Sequence, residues 1–251
     1  LACVAHPADQ AAALANLHRP NNRTVLLLLS LGLGTFLMLT LVLTRQTLVN
    51  KILGIGEGAR PNLMFFDIQD DQAARLGAIV KEQGALLVAE APVVTMRLAN
   101  VRGRTADEIL KDEKSGIPAW TLRREYRSTF RGELANTEKV TEGKFIGRVE
   151  PGAARVPVSV EAGLAKELQL KLGDDLGFDV QGVPVKAYVA SLREVEWQRM
   201  QPNFFIVFPE GVLEPAPKTH IAAVRAAGPA ESAQVQRAVA KEFPTVSAID
   251  L

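Results

Sequence analysis

The stretch TVLLLLSLGLGTFLMLTLVLT, from Thr24 to Thr44, holds 21 residues without a charge and decides the architecture of the chain. As a helix it would be about 31 Å long, close to the hydrocarbon thickness of a bilayer. A buried core helix rarely runs this long without a polar face. A secretory signal peptide would be followed by a small-residue cleavage site, which this sequence lacks. The stretch therefore predicts a transmembrane helix at 24–44.

The charges that flank this stretch do not indicate which end is cytoplasmic. Arg19 and Arg23 precede it, and Arg45, Lys51 and Arg60 follow it, so the two flanks are too similar in positive charge to choose between them. Residues 1–23 are interpreted as an amphipathic segment, either lying along the membrane surface or packing on other parts of the protein. Within the span, Ser30 and Gly34 lie four residues apart, a spacing that favours close packing of a second helix over a lone anchor.

Composition excludes several classes of function. The 251 residues carry 29 basic and 28 acidic side chains, which gives no case for binding nucleic acid by bulk charge. The chain has one cysteine, Cys3, and three scattered histidines, so we expect no disulfide framework, no metal site and no cofactor. Residues 50–251 are numerous enough to bury a core of their own. Because the chain starts at Leu1 and stops at Leu251 just as a strand ends, we interpret it as a piece of a longer protein.

The hydrophobic pattern after the span predicts an α+β domain. A glycine-containing connector is expected at 45–61. Strand–helix–strand units at the two ends of the remainder predict one sandwich, built from 62–118 and 202–251. Between them, 119–201 is predicted to be an inserted β-rich lobe. The expected fold is thus one N-terminal transmembrane helix followed by a two-lobed domain.

No motif in the chain supports catalysis. The nucleophile elbow, the zinc-protease helix and the phosphate-binding loop are all missing from the sequence, so we expect no enzyme activity. His220, predicted to lie in a strand, is interpreted as structural. An arginine-rich run, 123–131, is typical either of a solvated strand face or of a site for nucleic acid or phospholipid headgroups. The solvated face is favoured, because Glu125 and Glu133 dilute the charge.

The most unusual stretch is WQRMQPNFFIVFPEGVLEPAP, from Trp197 to Pro217. One interpretation is a strand buried on both faces. The other is an edge that contacts a partner or lipid through four aromatic side chains: Trp197, Phe204, Phe205 and Phe208.

Three stretches carry a resemblance to a known family: LANLHRPNNRTVLLLLSLGLGTFL, PNLMFFDIQDDQ and the aromatic stretch. A fourth, VSVEAGLAKELQLKLGDDLGFDV, is similar to the family's MacB-like periplasmic core domain. The chain resembles the FtsX-like permeases of ABC transporters, and among them those linked to lysophospholipase/thioesterase systems.

The resemblance implies a location and a set of partners. Residues 1–23 would be cytoplasmic, the helix would cross the inner membrane, and residues from about 50 onward would be periplasmic. The partners would be a separate ATP-hydrolysing subunit, the remaining transmembrane helices of the parent permease, membrane lipids and a periplasmic lysophospholipase/thioesterase. The function expected from it is export or mechanical transmission, with a lipid or hydrophobic substrate. A single-span anchored sensor or scaffold is the alternative, and a membrane-tethered hydrolase is disfavoured by the missing motifs.

Overall fold

A computed structural model of the chain describes residues 24–53, 60–199 and 201–251. Helix α1 runs from Thr24 to Leu53, and within it the segment Val25–Gln46 is long and apolar enough to cross a membrane. The predicted apolar N-terminal helix is therefore confirmed, but it continues through residues 45–53 of the predicted connector. The amphipathic segment at 1–23 lies outside the described residues.

The polar side chains inside α1 bond to the helix itself. The hydroxyl groups of Ser30, Thr35 and Thr40 donate to backbone carbonyls one turn earlier, at 2.8–3.0 Å. Each hydroxyl is thus satisfied without water, which suits a helix in an apolar medium.

The rest of the chain, called the head, forms one compact unit from Ala59 to Leu251. Its described helices are α2 (Ala73–Glu82), α3 (Ala106–Lys111), α4 (Ala119–Arg123), α5 (Ala162–Glu167) and α6 (Pro229–Glu242). Its described strands are β1 (Leu63–Gln69), β2 (Leu86–Val101), β3 (Arg104–Thr105), β4 (Glu125–Phe130), β5 (Glu138–Gly143), β6 (Val156–Glu161), β7 (Asp175–Val180), β8 (Val183–Val195), β9 (Ile206–Phe208), β10 (Thr219–Arg225) and β11 (Ser247–Asp250).

An antiparallel sheet joins the two ends of the head in the strand order β11-β1-β10-β2. Helices α2 and α6 pack against it through their apolar stripes, because the apolar residues of both helices recur with the 3.6-residue period of an α-helix. The shared core contains Leu76 and Val80 of α2, Val235 of α6 and Phe65 of β1. The strand–helix–strand units occur where the sequence predicts them.

Six other pairings close into a barrel, which the sequence does not predict. Going around the ring, β2 pairs with β4, β4 with β9, β9 with β6, β6 with β8, β8 with β7, and β7 returns to β2. Closure leaves these six strands without a free edge inside the ring. The interior is filled by side chains such as Met96, Tyr126, Phe178, Ile206 and Phe208.

The barrel draws strands from outside the segment predicted as the β-rich insertion. Two of its six strands come from outside 119–201: the second half of β2 and the short strand β9. Strand β2 is 16 residues long and pairs with the sandwich through its first half and with the barrel through its second. One continuous strand therefore serves both sheets, and the division of the head into two lobes stays a prediction.

The segment 121–131 contains the arginine-rich run, and its alternating apolar residues are typical of one long strand. Its first residues form helix α4, and only Glu125–Phe130 is extended. The helix begins after Pro118, whose carbonyl accepts from both the amide and the hydroxyl of Thr121. Alternating apolar residues cannot by themselves separate five residues of helix from strand, since the pattern is too short.

A charged cluster is buried beside the barrel. Glu138 of β5 has a fully buried side chain and pairs with Arg131, with 2.5 Å between Nη2 and Oε2. It also lies 3.5 Å from Nε of Arg193, whose side chain is fully buried. The same guanidinium donates to the carbonyl of Phe204 at 2.5 Å. Burial lowers the pKa of Arg193 to about 10.

All residues of the three buried apolar clusters lie between Leu63 and Val246. Among the described residues, these clusters form without a contribution from α1, so we expect the head to fold without it.

Candidate functional site

The most distinctive surface of the head surrounds Arg124, at the junction of α4 and β4. Its guanidinium carbon lies 4.7 Å from the ring centre of Phe205, and 5.2 Å from the ring centres of both Trp120 and Tyr126. Trp197 extends the surface, with its ring centre 4.8 Å from that of Phe205 at a tilt of 44°. We call these five residues the Arg124 surface.

Local structure fixes three of these residues from one side. Helix α4 ends at Arg124, where the backbone turns extended, so Trp120 and Arg124 stand a helical turn apart and Tyr126 enters the strand. The Tyr126 hydroxyl donates to the carbonyl of Thr121 at 2.6 Å, which holds helix and strand together. Burial, opposed in part by Arg124, raises the pKa of Tyr126 well above its usual value.

The other two residues come from the aromatic stretch. Phe205 precedes β9, and its carbonyl accepts from the amide of Glu161 at 2.8 Å. Because successive side chains alternate, Ile206 enters the barrel core while Phe205 stays half-buried at its surface. The stretch 197–208 thus meets the arginine-rich run in space, although about 70 residues separate them in sequence.

The Arg124 surface combines exposed apolar area with an uncommitted cation. Trp120 and Trp197 are 45% and 46% exposed, and they are the two tryptophans of the chain. Across the described ranges, no carboxylate forms a salt bridge with Arg124, and its guanidinium donates no hydrogen bond to protein. An open depression of about 590 Å³ lies beside it, lined by Ala119, Trp120, Arg123, Arg124 and Glu125.

The predicted aromatic residues separate into two groups. Trp197 and Phe205 lie at the surface, whereas Phe204 and Phe208 are 3% and 0% exposed. Strand β9 is buried on both faces, in keeping with the first interpretation of this stretch. Contact of the four aromatic residues with a partner or lipid stays a prediction, and only Trp197 and Phe205 offer a surface for it here.

The arginine-rich run is also divided. Arg123 and Arg127 are exposed, whereas Arg131 faces Glu138 in the buried cluster. A solvated strand face therefore explains Arg127 but not Arg131. The sequence analysis did not identify Trp120 or the stacking of Arg124. The signal that could have identified Trp120 is its place directly after Pro118-Ala119, where a helix begins.

Ser30 and Gly34 lie on exposed parts of α1. A side chain added at Gly34 would meet no atom within 4 Å, which leaves room for a neighbouring helix. Packing of a second helix against these two residues stays a prediction.

A second polar cluster lies around His220 of β10. Its Nε2 is 2.8 Å from Oδ1 of Asp70, and its Nδ1 is 3.0 Å from Oε1 of Glu90. Lys218 also pairs with Asp70, at 3.0 Å. A neutral imidazole carries one N–H donor, so two carboxylate partners favour the doubly protonated ring. The hydrogen bond to Glu90, and then that to Asp70, raises the pKa of His220 against the opposing effect of burial.

Within the described residues, no group of three or more His, Cys, Asp or Glu side chains is arranged to hold a metal ion. The His220 cluster is thus an ion-paired network that joins the end of β1, strand β2 and strand β10.

Comparison with known proteins supports a transporter. No family model matches the chain. It is 28% identical over 240 residues to the uncharacterized ABC transporter permease YbbP of Escherichia coli (strain K12), an alignment that covers 95% of this chain. The chain spans 28% of the length of that permease, so what the whole permease does reaches this chain only as a proposal.

The chain is also similar to a solved domain of a putative permease protein from Porphyromonas gingivalis. The superposition covers 76% of this chain and 87% of that domain. That domain is 8% identical with a TM-score of 0.32, too low to carry an argument. The resemblance to ABC transporter permeases is confirmed by the first comparison. The FtsX-like family and the lysophospholipase/thioesterase subgroup stay predictions.

Proposed function

We propose that the chain is a segment of the membrane permease subunit of an ABC transporter. The observation that carries the proposal is the similarity to a permease over 95% of the chain, which includes both the apolar helix and the head. A core domain alone would not account for a similarity that also spans α1.

In this proposal α1 crosses the inner membrane and the head lies in the periplasm. The helix transmits the motion of a separate ATP-hydrolysing subunit, and the head performs export or mechanical work on a lipid or hydrophobic substrate. The remaining helices of the parent permease would pack on α1 at Ser30 and Gly34, where small side chains permit close approach. The permease itself contributes no catalytic residue.

The experiment that tests this function pairs the parent permease with its ATPase. The two subunits are expected to co-purify from detergent-solubilised membranes, and the permease is expected to change the rate of ATP hydrolysis. A variant lacking the head, residues 60–251, is expected to retain the ATPase but to lose the work done outside the cytoplasm. Failure of the full-length permease to bind any ABC-type ATPase would contradict the proposal and favour an anchored sensor or scaffold.

The orientation has a direct test, because Cys3 is the single cysteine of the chain. In intact spheroplasts, a membrane-impermeant maleimide is expected to leave Cys3 unlabelled. In a Cys3→Ser background, a cysteine at the exposed position of Lys186 is expected to react. Labelling of Cys3 with protection of position 186 would reverse the proposed orientation.

A partnership with a periplasmic lysophospholipase/thioesterase is part of the same proposal. It rests on the resemblance of the sequence and would be tested by co-purification of such an enzyme with the full-length permease.

A further inference from the structure

We infer that the Arg124 surface binds an amphiphile that carries an anionic group, phosphate or carboxylate, next to an apolar chain. The inference deepens the proposed function, on which it rests for the role of the ligand as a substrate. The binding chemistry itself depends only on the side chains of the Arg124 surface.

The guanidinium carbon of Arg124 lies 4.7–5.2 Å from the centres of three aromatic rings, and within the described residues no carboxylate pairs with this cation. A guanidinium has five N–H donors in a planar fork, and in the described residues Arg124 gives none of them to protein. Its edge is therefore available for two parallel hydrogen bonds to one anion, the arrangement that favours carboxylate and phosphate.

Exposed aromatic side chains surround that cation. Trp120 and Trp197 leave nearly half of their surface in solvent, with Phe205 half-buried between Arg124 and Trp197. Exposed tryptophan at this density marks a contact surface, because an indole offers a large apolar area with one polar tip. A ligand with charge alone would leave this apolar area uncovered.

The depression beside Trp120 is open to solvent and has a volume of about 590 Å³. Arg123 and Arg124 outweigh Glu125 at its rim, so its charge selects an anion. A phosphate or carboxylate seated on Arg124, with its chain laid across the indole rings, satisfies each of these features.

The test uses residues 60–251 of the head, whose described apolar clusters do not include α1. Trp120 and Trp197 are the only tryptophans of the chain, so intrinsic fluorescence reports directly on the surface. Dodecyl phosphate, dodecyl maltoside and inorganic phosphate are titrated below the concentrations at which the two amphiphiles form micelles. Saturable binding is expected for dodecyl phosphate, at least about tenfold tighter than for the neutral amphiphile or the bare ion, because the charge-assisted hydrogen bonds and the apolar contact act together.

Two substitutions on neighbouring positions decide the role of Arg124. R124Q is expected to abolish the preference for the anionic over the neutral amphiphile. R127Q is the matched control, since Arg127 is exposed on strand β4, three residues from Arg124, and contacts none of the four rings. An unchanged preference in R124Q, or the absence of any saturable change in the wild-type head, would overturn the inference.

Should R124Q lack the wild-type melting curve, R124K decides the matter. Lysine keeps the charge but cannot stack as a plane or bind in two-pronged fashion, so at least threefold weaker binding is expected. Wild-type affinity in R124K would overturn the inference.

Sedimentation with vesicles then separates two sources of the ligand. Binding to phosphatidylglycerol but not phosphatidylcholine vesicles would place the amphiphile in a bilayer, whereas binding to dodecyl phosphate alone would place it in solution. Both outcomes support an anionic amphiphile site. Loss of amphiphile binding with intact coupling to the ATPase would remove this inference and leave the proposed function standing; the reverse result would remove the proposed function alone.

Discussion

At the scale of single residues, His220 couples the stability of the head to pH. Its two ring nitrogens face Asp70 and Glu90, and Lys218 is the other charge at this cluster. The carboxylate partners raise the pKa of the histidine above its unfolded value. The stabilisation is therefore complete below about pH 6.5 and is lost as the pH rises through the raised, folded-state pKa.

We predict that the free energy of unfolding of the head falls between pH 6 and pH 9. In H220Q this part of the pH dependence should vanish, and at pH 6 the variant should be less stable by about 1.5 kcal/mol, the scale of one charge-assisted hydrogen bond. Urea unfolding at the two pH values measures both quantities. D71N, an exposed change next to the cluster, is the control and should keep the wild-type dependence. A wild-type profile in H220Q would contradict the prediction.

Glu138 illustrates a different residue-scale effect, that of a buried charge with two cationic neighbours. Removing it leaves the fully buried Arg193 without the carboxylate that pairs with it. We therefore predict that E138A destabilises the head by about 3–5 kcal/mol. Urea unfolding tests this, with E142A as the matched control because Glu142 is exposed on the same strand. A loss as small as that of the control would show that the cluster is not needed for stability.

At the scale of elements, the aromatic stretch and the arginine-rich run form one surface because each segment contributes one of two paired strands of the barrel. Helix α4 leads into strand β4, and Phe205 leads into strand β9, which pairs with β4 in parallel. The pairing of these two strands is what brings Phe205 to Arg124.

The difference in burial between Phe204 and Trp197 predicts opposite outcomes for substitution at these two aromatic positions. Phe204 is buried with Val93 and Val207 in a small apolar cluster, so F204D would place a charge in a dry site. We predict loss of soluble expression of the head. W197D, at an exposed position, should express and melt like the wild type while weakening contacts of the Arg124 surface. Soluble, cooperatively melting F204D would contradict this assignment of the two side chains.

At the scale of the whole molecule, the described residues form an apolar helix and a head with its own buried apolar clusters. The segment Val25–Gln46 has its side chains exposed along its length, which in water would be a large apolar surface. A bilayer is the solvent that accommodates it.

We predict that the full chain stays in the membrane fraction after alkaline carbonate extraction. Lysine at positions 31, 33 and 36 should release it, because each central lysine costs about 3 kcal/mol of insertion free energy. The matched control replaces Leu31 and Leu33 by isoleucine and Phe36 by leucine, and should remain with the membrane. Release of the unsubstituted chain by carbonate would show that α1 is peripheral.

Much of the head follows from local patterns. The turn Gln181-Gly182, which joins β7 to β8, has positive φ at both residues, 52° and 94°, and glycine readily adopts such a conformation. Strand β10 and helix α6 occupy predicted positions, since strand alternation and a proline at the start of a helix are encoded within a few residues.

The order of residues along the chain is enough to predict the apolar helix, the α+β character of the head and the similarity to permeases, because each depends on local patterns. The closed barrel, the burial of Phe204 and Phe208, and the meeting of Trp120, Arg124 and Trp197 are visible only in the folded head. These depend on which strands pair across long stretches of chain. Strand pairing is set by the packing of whole faces against one another, a property that no short window of sequence contains.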